Sequence, residues 1–263
     1  MNTLHRQRGL TLMELLIAGT LGLIVSAAVM SLVISSNRTA VRAEQQAYAH
    51  ETARLAIQYL AQALRSAGMS VEDGDLDPFS APCAGSSLAI GCSDERSDFG
   101  GDRISLLRVM DAANNIACNG LPFPNLQGQV VADDYWVDQD TQGRWGLFCQ
   151  TSHQKNALFE PQMLAQGIIA LHALYGQSSA ISPLNARNVD RYSPLHELET
   201  NSIGDIDWQR VYAIRIALLS EATLDLGLQR ALRRFVLLDS DTYEFDDGIS
   251  RSVMTTTITR NSF

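Results

Sequence analysis

The stretch Arg6-Gln7-Arg8-Gly9-Leu10-Thr11-Leu12-Met13-Glu14 decides how the rest of the chain is read, because it joins a short basic segment to a long apolar one. From Leu10 to Ser36 the only charged side chain is Glu14. The 25 residues from Leu10 to Ile34 are enough to cross a hydrocarbon core about 30 Å thick as a helix. A carboxylate one turn inside such a span costs roughly 2.5 to 3.5 kcal/mol at the bilayer centre on the gentler insertion scales, so Glu14 requires a partner and a function. Arg6 and Arg8 hold the short amino-terminal side in the cytoplasm and send the remainder outward.

A cleaved secretory signal has an apolar core of about 7 to 15 residues followed by small residues at the cut. Here the apolar run is longer, and Ser35-Ser36-Asn37-Arg38 leads into more helix-forming sequence. The basic residues instead abut Gly9. This arrangement resembles the class III signal of type IV prepilins. The resemblance implies that a prepilin peptidase cuts between Gly9 and Leu10 and that the new amino terminus, Leu10, is methylated. Glu14 then becomes the fifth residue of the mature chain, the family's signature acid, whose carboxylate pairs with the amino terminus of a neighbouring subunit. Leu10 stands where most of that family has Phe, and Arg8 where Lys is common; both replacements keep the chemistry. The plain alternative is an uncleaved signal anchor with an incidental Glu.

With 263 residues, 46% hydrophobic and 19% charged, the chain is long enough to bury a sizeable core beyond the anchor. The formal net charge is −9, and loss of Arg6 and Arg8 with a leader makes it more negative. Nucleic acid is a poor partner for such a chain, since phosphate binding needs a basic footprint. All four cysteines, Cys83, Cys92, Cys118 and Cys149, lie beyond the apolar span, on the side where disulfides persist. No CxxC occurs and only His153 is near any of them, so the spacing fits no zinc site. Sequence allows three connectivities. Pairing Cys83 with Cys92 and Cys118 with Cys149 is favoured because each closes a local loop, with about 3 and about 4 kcal/mol of chain-entropy stabilisation respectively. Two free buried cysteines remain the alternative.

Ser36 to Ala67 contains no Pro or Gly and is rich in good helix formers. Val41, Tyr48 and Leu55 recur every seven residues, while Ala53, Ile57, Leu60, Leu64 and Ala67 trace a stripe suited to packing on a domain. Gly68 follows as a C-cap after the basic Arg65. One helix from Leu10 to Ala67 would be about 87 Å long. Beyond a loop-rich stretch to Gly101, β-prone runs alternate with turn signals: Ile104 to Met110, Tyr135 to Asp138, Trp145 to Gln150, Ile168 to Tyr175, Val211 to Ser220, Phe235 to Leu238 and Met254 to Thr259. Ile214, Ile216 and Leu218 alternate with Arg215 and Ala217, the pattern of a strand with one buried face. The fold class is α+β, an antiparallel sheet laid against the second half of a long helix. The segments are a leader (1–9), a membrane or filament-core helix (10–34), its periplasmic continuation (35–67) and a globular domain (68–263).

The carboxy-terminal half narrows the resemblance. Leu164-Ala-Gln-Gly-Ile-Ile-Ala-Leu-His-Ala-Leu-Tyr-Gly176, Val211-Tyr-Ala-Ile-Arg-Ile-Ala-Leu-Leu219, Leu237-Leu-Asp239 with Thr242-Tyr-Glu-Phe245, and Arg251-Ser-Val-Met-Thr-Thr-Thr-Ile258 resemble, in that order, segments of PilW-type minor pilins. Val71 to Gly101 and Ser178 to Asp207 have no counterpart and read as variable loops.

Catalytic chemistry has little foothold. Asp73-Gly-Asp-Leu-Asp77 imitates the start of an EF-hand, but Pro78 and Ala84 occupy its required Gly and Glu positions. Asp239, Asp241, Asp246 and Asp247 read as a solvated hairpin turn. There is no GxSxG, HExxH or phosphate loop. His153, His172 and His196 are far apart in sequence, and Trp136 and Trp145 flank a turn at Gln139 to Gly143 as core residues. The expectation is a non-enzymatic minor pilin, without cofactor or metal, that is processed by prepilin peptidase in the inner membrane. Its domain lies in the periplasm and then in the pilus, at the tip. It initiates or caps a type IV pilus with other minor pilins and the major pilin. A large minor pseudopilin of a type II secretion system and a membrane-anchored periplasmic enzyme are the competing readings.

Overall fold

A computed structural model describes residues 11–68, 76–83, 90–96, 99–110, 115–122, 128–154, 156–178, 188–202, 204–222 and 230–259. Two compact units divide the chain, Met1–Glu44 and Gln45–Phe263. A single helix, α1 (Leu12–Ser66, 55 residues), belongs to both. In the first unit every described side chain from Thr11 to Ala40 is exposed, including Leu15, Leu16, Leu23 and Ile24. This is the one helix among the described residues long and apolar enough to cross a membrane.

In the second unit α1 is one-sided. Gln45, Ala49, Ala53, Ala56, Leu60, Ala61 and Leu64 are buried, at the three- and four-residue spacing of a packed helical face. The expected stripe is present in Ala53, Leu60, Leu64 and Ala67, with Ile57 partly buried. The seven-residue repeat is different: Tyr48 and Leu55 are more than 40% exposed and belong to the outer face. Gly68 ends the helix at φ +74°, a conformation that costs glycine nothing. Its N–H donates to the Leu107 carbonyl at 2.9 Å, tying the helix end to the first strand.

The strands are β1 (Ile104–Val109), β2 (Val130–Gln139), β3 (Trp145–His153), β4 (Asn156–Ala157), β5 (Gln162–Gln166), β6 (Ile168–Gln177), β7 (Arg191–Ser193), β8 (Val211–Glu221), β9 (Ala231–Phe235), β10 (Tyr243–Asp247) and β11 (Arg251–Thr259). They form two larger sheets and a hairpin. One sheet runs β1-β2-β3-β4 with β5 also on β3; the other runs β11-β8-β6-β7; β9 pairs β10. All of these pairings are antiparallel. The expected single sheet is therefore split. The seam is Gly100-Gly101, where Leu171 N–H donates to the Gly100 carbonyl and Asp102 N–H to the Leu171 carbonyl. A Cβ on Gly101 would lie 2.2 Å from the Leu171 oxygen, so only glycine lets the connection run this close to β6.

Both sheets meet in one core with α1, where Leu60 and Leu64 join Ile104, Leu147, Leu171, Ile214 and Leu218. The reverse face of β6 and β8 is also covered. Ile169, Ala217 and Leu219 pack with Leu237, Phe235, Tyr243 and Phe245 of the β9–β10 hairpin. The one-faced reading of β8 is corrected accordingly: its alternation hides two buried faces, because the second face has small Ala217 and apolar Leu219 under the hairpin. The segment expected as a strand over Phe235 to Leu238 also shifts. Its strand ends at Phe235, and Leu237 is a fully buried plug beyond it.

The Ala53 side chain lies on α1's packed face with no exposed surface. Ala53→Leu forces extra volume between helix and sheet and is expected to cost about 1 to 3 kcal/mol, whereas Tyr48→Ala on the exposed face should stay within about 0.5 kcal/mol. Denaturant unfolding of the two variants checks the assignment of faces; equal losses would contradict it.

Candidate functional site

Gly9 and Leu10, the expected cleavage and methylation positions, lie outside the described residues. Glu14 lies inside them and has local partners. Thr11 N–H donates to Glu14 Oε2 at 2.9 Å, Thr11 Oγ1 donates to the same oxygen at 3.0 Å, and Glu14 N–H donates back to Thr11 Oγ1 at 3.3 Å. This is a capping box. The Thr11-Leu-Met-Glu14 spacing satisfies two amino-terminal helix donors reciprocally, a signal present in the sequence that the reading of Glu14 as a lone membrane acid passed over. Glu14 therefore both starts α1 and leaves carboxylate lone pairs for a further donor.

The domain's cysteines are at bonding distance in two pairs, Cys83 with Cys92 (S–S 2.00 Å) and Cys118 with Cys149 (S–S 2.24 Å). Each pair sits beside a buried ion pair anchored on β2. Successive residues of a strand point to opposite faces, so Asp133 and Asp134 serve different loops. Asp133 accepts from Arg108 Nε and from Thr151 Oγ1, both at 2.5 Å, and Thr151 Oγ1 accepts from Cys118 N–H at 2.9 Å. Arg108 also donates to the Ile116 carbonyl at 2.7 Å. Asp134 accepts from Arg103 at 2.7 Å and from Gly91 N–H at 2.8 Å. The Arg103 guanidinium lies 4.6 Å over the Trp136 ring. Both disulfide loops are thus fastened through charge-assisted bonds in the interior, where removing one partner typically costs about 3 to 5 kcal/mol.

The three histidines are not brought together. His153 Nδ1 lies 3.0 Å from the Val130 carbonyl, and exposed His196 pairs with Glu95. His172 on β6 is the partly buried one. Its Nε2 lies 2.7 Å from the Tyr243 hydroxyl of β10 and its Nδ1 3.6 Å from Asp102. Burial pushes the Asp102 carboxyl well above the usual carboxylate range, against the pull of the Ala173 N–H, and Glu95, Asp239 and Asp94 add to the push. Burial also lowers His172. Both nitrogens of the ring face protein groups, so the cluster fastens the hairpin to the sheet.

The acidic run around Asp239 divides. Asp239 and Asp241 are exposed in the turn between β9 and β10. Asp247 is in β10 and makes a bidentate pair with Arg251 at 2.8 Å, an arginine that also reaches Glu221 at 2.9 Å and lies 3.6 Å over the Phe245 ring. A solvated turn thus accounts for two of the four acids. Asp246 is exposed on β10, and periodicity gave no sign of the role of Asp247, because its partner Arg251 lies across a chain reversal. Asp73 and Asp75 of the EF-hand-like stretch fall outside the described residues. Trp136 is buried and stacks on Phe148, while Trp145 is partly buried against Phe99.

Residues 134–261 match the family profile described as type IV pilus-assembly protein W, PilW. No curated protein and no solved structure gives a significant match to the chain. The matched stretch runs from Asp134 in β2 through β11 and holds the β6–β8–β11 sheet, the β9–β10 hairpin and the His172 and Arg251 ties.

Asp102 gives a testable pH dependence. Its folded pKa lies above its unfolded value of about 3.9, so the native state keeps a proton that the unfolded chain loses, and this contribution to stability is lost as pH rises from about 4 through the folded pKa. Asp102→Asn retains an acceptor for Ala173 N–H and removes the ionisation. The variant's stability relative to wild type is expected to increase from pH 4 to pH 8, as measured by denaturant unfolding; a pH-independent difference would contradict the assignment. Over residues 134–261, just under half of its length, the chain is similar to type IV pilus-assembly protein W.

Proposed function

We propose that this chain is a minor pilin that enters the inner membrane as a prepilin, is cleaved after Gly9 and methylated at Leu10, and initiates or caps a type IV pilus. The observation that carries the reading is the union, on one chain, of the PilW match over residues 134–261 with a helix whose first half is apolar all round and interrupted only by Glu14. A helix of that kind is at home in a bilayer. It is equally suited to a bundle of similar helices, where no water competes for its apolar surface. The mechanism is packing and not catalysis. Glu14 supplies a charge for the amino terminus of a neighbouring subunit, an interaction strengthened by the low dielectric of such a bundle. The two disulfides belong to the oxidising periplasm, where the domain resides before assembly.

Intact-mass analysis of membrane-extracted protein is expected to show a chain beginning at N-methylated Leu10, and Gly9→Val should retain the leader because a branched side chain obstructs the peptidase subsite. A wild-type chain beginning at Met1 would overturn the prepilin reading.

The charge of Glu14 can be separated from its capping role. Glu14→Leu removes both, and losing a cap costs about 1 kcal/mol. Glu14→Gln keeps the capping box, which accepts either side chain, while removing the charge. Both variants are expected to insert and to be cleaved, and both to be depleted severalfold in sheared pilus fractions when normalised to their membrane level. Wild-type incorporation of Glu14→Gln would show that capping, and not charge pairing, is the contribution of the acid.

A further inference from the structure

The β11 strand forms one edge of its sheet. It pairs with β8 along nine residues, from Arg251 opposite Glu221 to Thr259 opposite Ala213, and among the described residues no strand lies on its other side. Alternate residues of an edge strand present free N–H and C=O groups outward, and natural sheets usually blunt such edges with lysine, proline or a bulge. From Ser252 to Thr259 there is no charged residue, proline or glycine, and the β11–β8 register is continuous. The edge is also flanked. A groove of about 720 Å³ runs between the last residues of β11 and α1, with Thr256 and Thr259 on one side and Ile57, Ala61, Gln62 and Arg65 on the other. All of these residues belong to the Gln45–Phe263 unit.

A groove with a free strand edge on one wall and a helix on the other is the geometry in which an extended peptide adds to a sheet. Main-chain hydrogen bonds then supply affinity, and alternate side chains enter the adjoining groove. Of the side chains lining it, Arg65 alone is charged, and it is exposed. A helical partner would leave the edge amides of β11 unpaired, whereas a strand satisfies them. We propose that the β11 edge and the adjoining flank of α1 form a docking groove for an extended segment of another chain, which joins the sheet as a strand and places a carboxylate opposite Arg65. The inference stands on the edge and the groove and does not depend on the pilus reading.

The test uses the full chain in detergent micelles with two probes: an acetylated octapeptide of alternating threonine and valine ending in aspartate, and the same peptide ending in lysine amide. Amide hydrogen exchange across residues 251–259 is the readout. The acidic peptide is expected to slow alternate amides of β11 by about fivefold or more, and the basic peptide to leave them unchanged. Arg65→Gln should weaken the acidic peptide's effect, and Arg65→Glu should transfer the protection to the basic peptide. No protection of β11 by either peptide at millimolar concentration would overturn the proposal. So would protection confined to α1, or the same peptide preference in wild type and Arg65→Glu.

Discussion

The close approach of α1 to the β6–β8–β11 sheet is the constraint on which the rest of the domain depends. Ala49, Ala53 and Ala56 have no exposed surface. At that distance Ser220 Oγ donates to the Ala49 carbonyl at 2.8 Å, and Ser250 Oγ to Gln45 Oε1 at 3.1 Å. The Ser220 bond to the helix backbone is possible because the buried residues of α1 from Ala49 to Ala56 are all alanine. Further along, Leu60 and Leu64 provide the volume that fills the space where both sheets converge. Graded side-chain size thus sets how the helix lies on the domain, and close packing makes that arrangement intolerant of added volume.

The interior is also more charged than its apolar composition suggests. Arg103, Arg108, Asp133 and Asp134 are buried, and each is paired and hydrogen-bonded, the condition under which buried charge is tolerated. Their placement follows a simple rule. Loops that follow no regular pattern have backbone groups to satisfy, and a strand carrying adjacent aspartates can reach loops on both of its faces. The covalent ties at Cys92 and Cys118 therefore act together with electrostatic ones. Arg251 of β11 likewise ties β8 and β10 through Glu221, Asp247 and the Phe245 ring.

The chain combines two kinds of surface. Its first helical half is apolar apart from Glu14 and a few small polar residues, and is suited to lipid or to like helices. Its second half is committed on one face to a β domain, with Tyr48, Leu55 and Tyr59 exposed on the other. An assembly protein needs both, since the first kind places the subunit and the second displays the folded domain. The PilW match falls entirely within that domain, in which the β6–β8–β11 sheet carries the β9–β10 hairpin.

By itself the sequence determined what periodicity and local chemistry can carry. These are the α+β class, a long helix with an apolar first half and a packed stripe through Leu60 and Leu64, its end at Gly68, and the positions of the larger strands β1, β2, β3, β6, β8 and β11, but not β4, β5, β7 or the β9–β10 hairpin. The capping box at Thr11 and Glu14 was equally local and legible from its three-residue spacing. Only the tertiary structure decided the division into two sheets, because the Gly100-Gly101 seam is defined by its approach to Leu171, some seventy residues away in the chain. It also decided that β8 is buried on both faces, since Ala217 reads as neutral until the hairpin covers it. The placing of His172 between Asp102 and Tyr243, and the pairing of Asp247 with Arg251 and of Asp133 and Asp134 with their arginines, required the fold for the same reason. A charged side chain has no periodicity of its own, and whether it is solvated or buried depends on which distant segment supplies its partner.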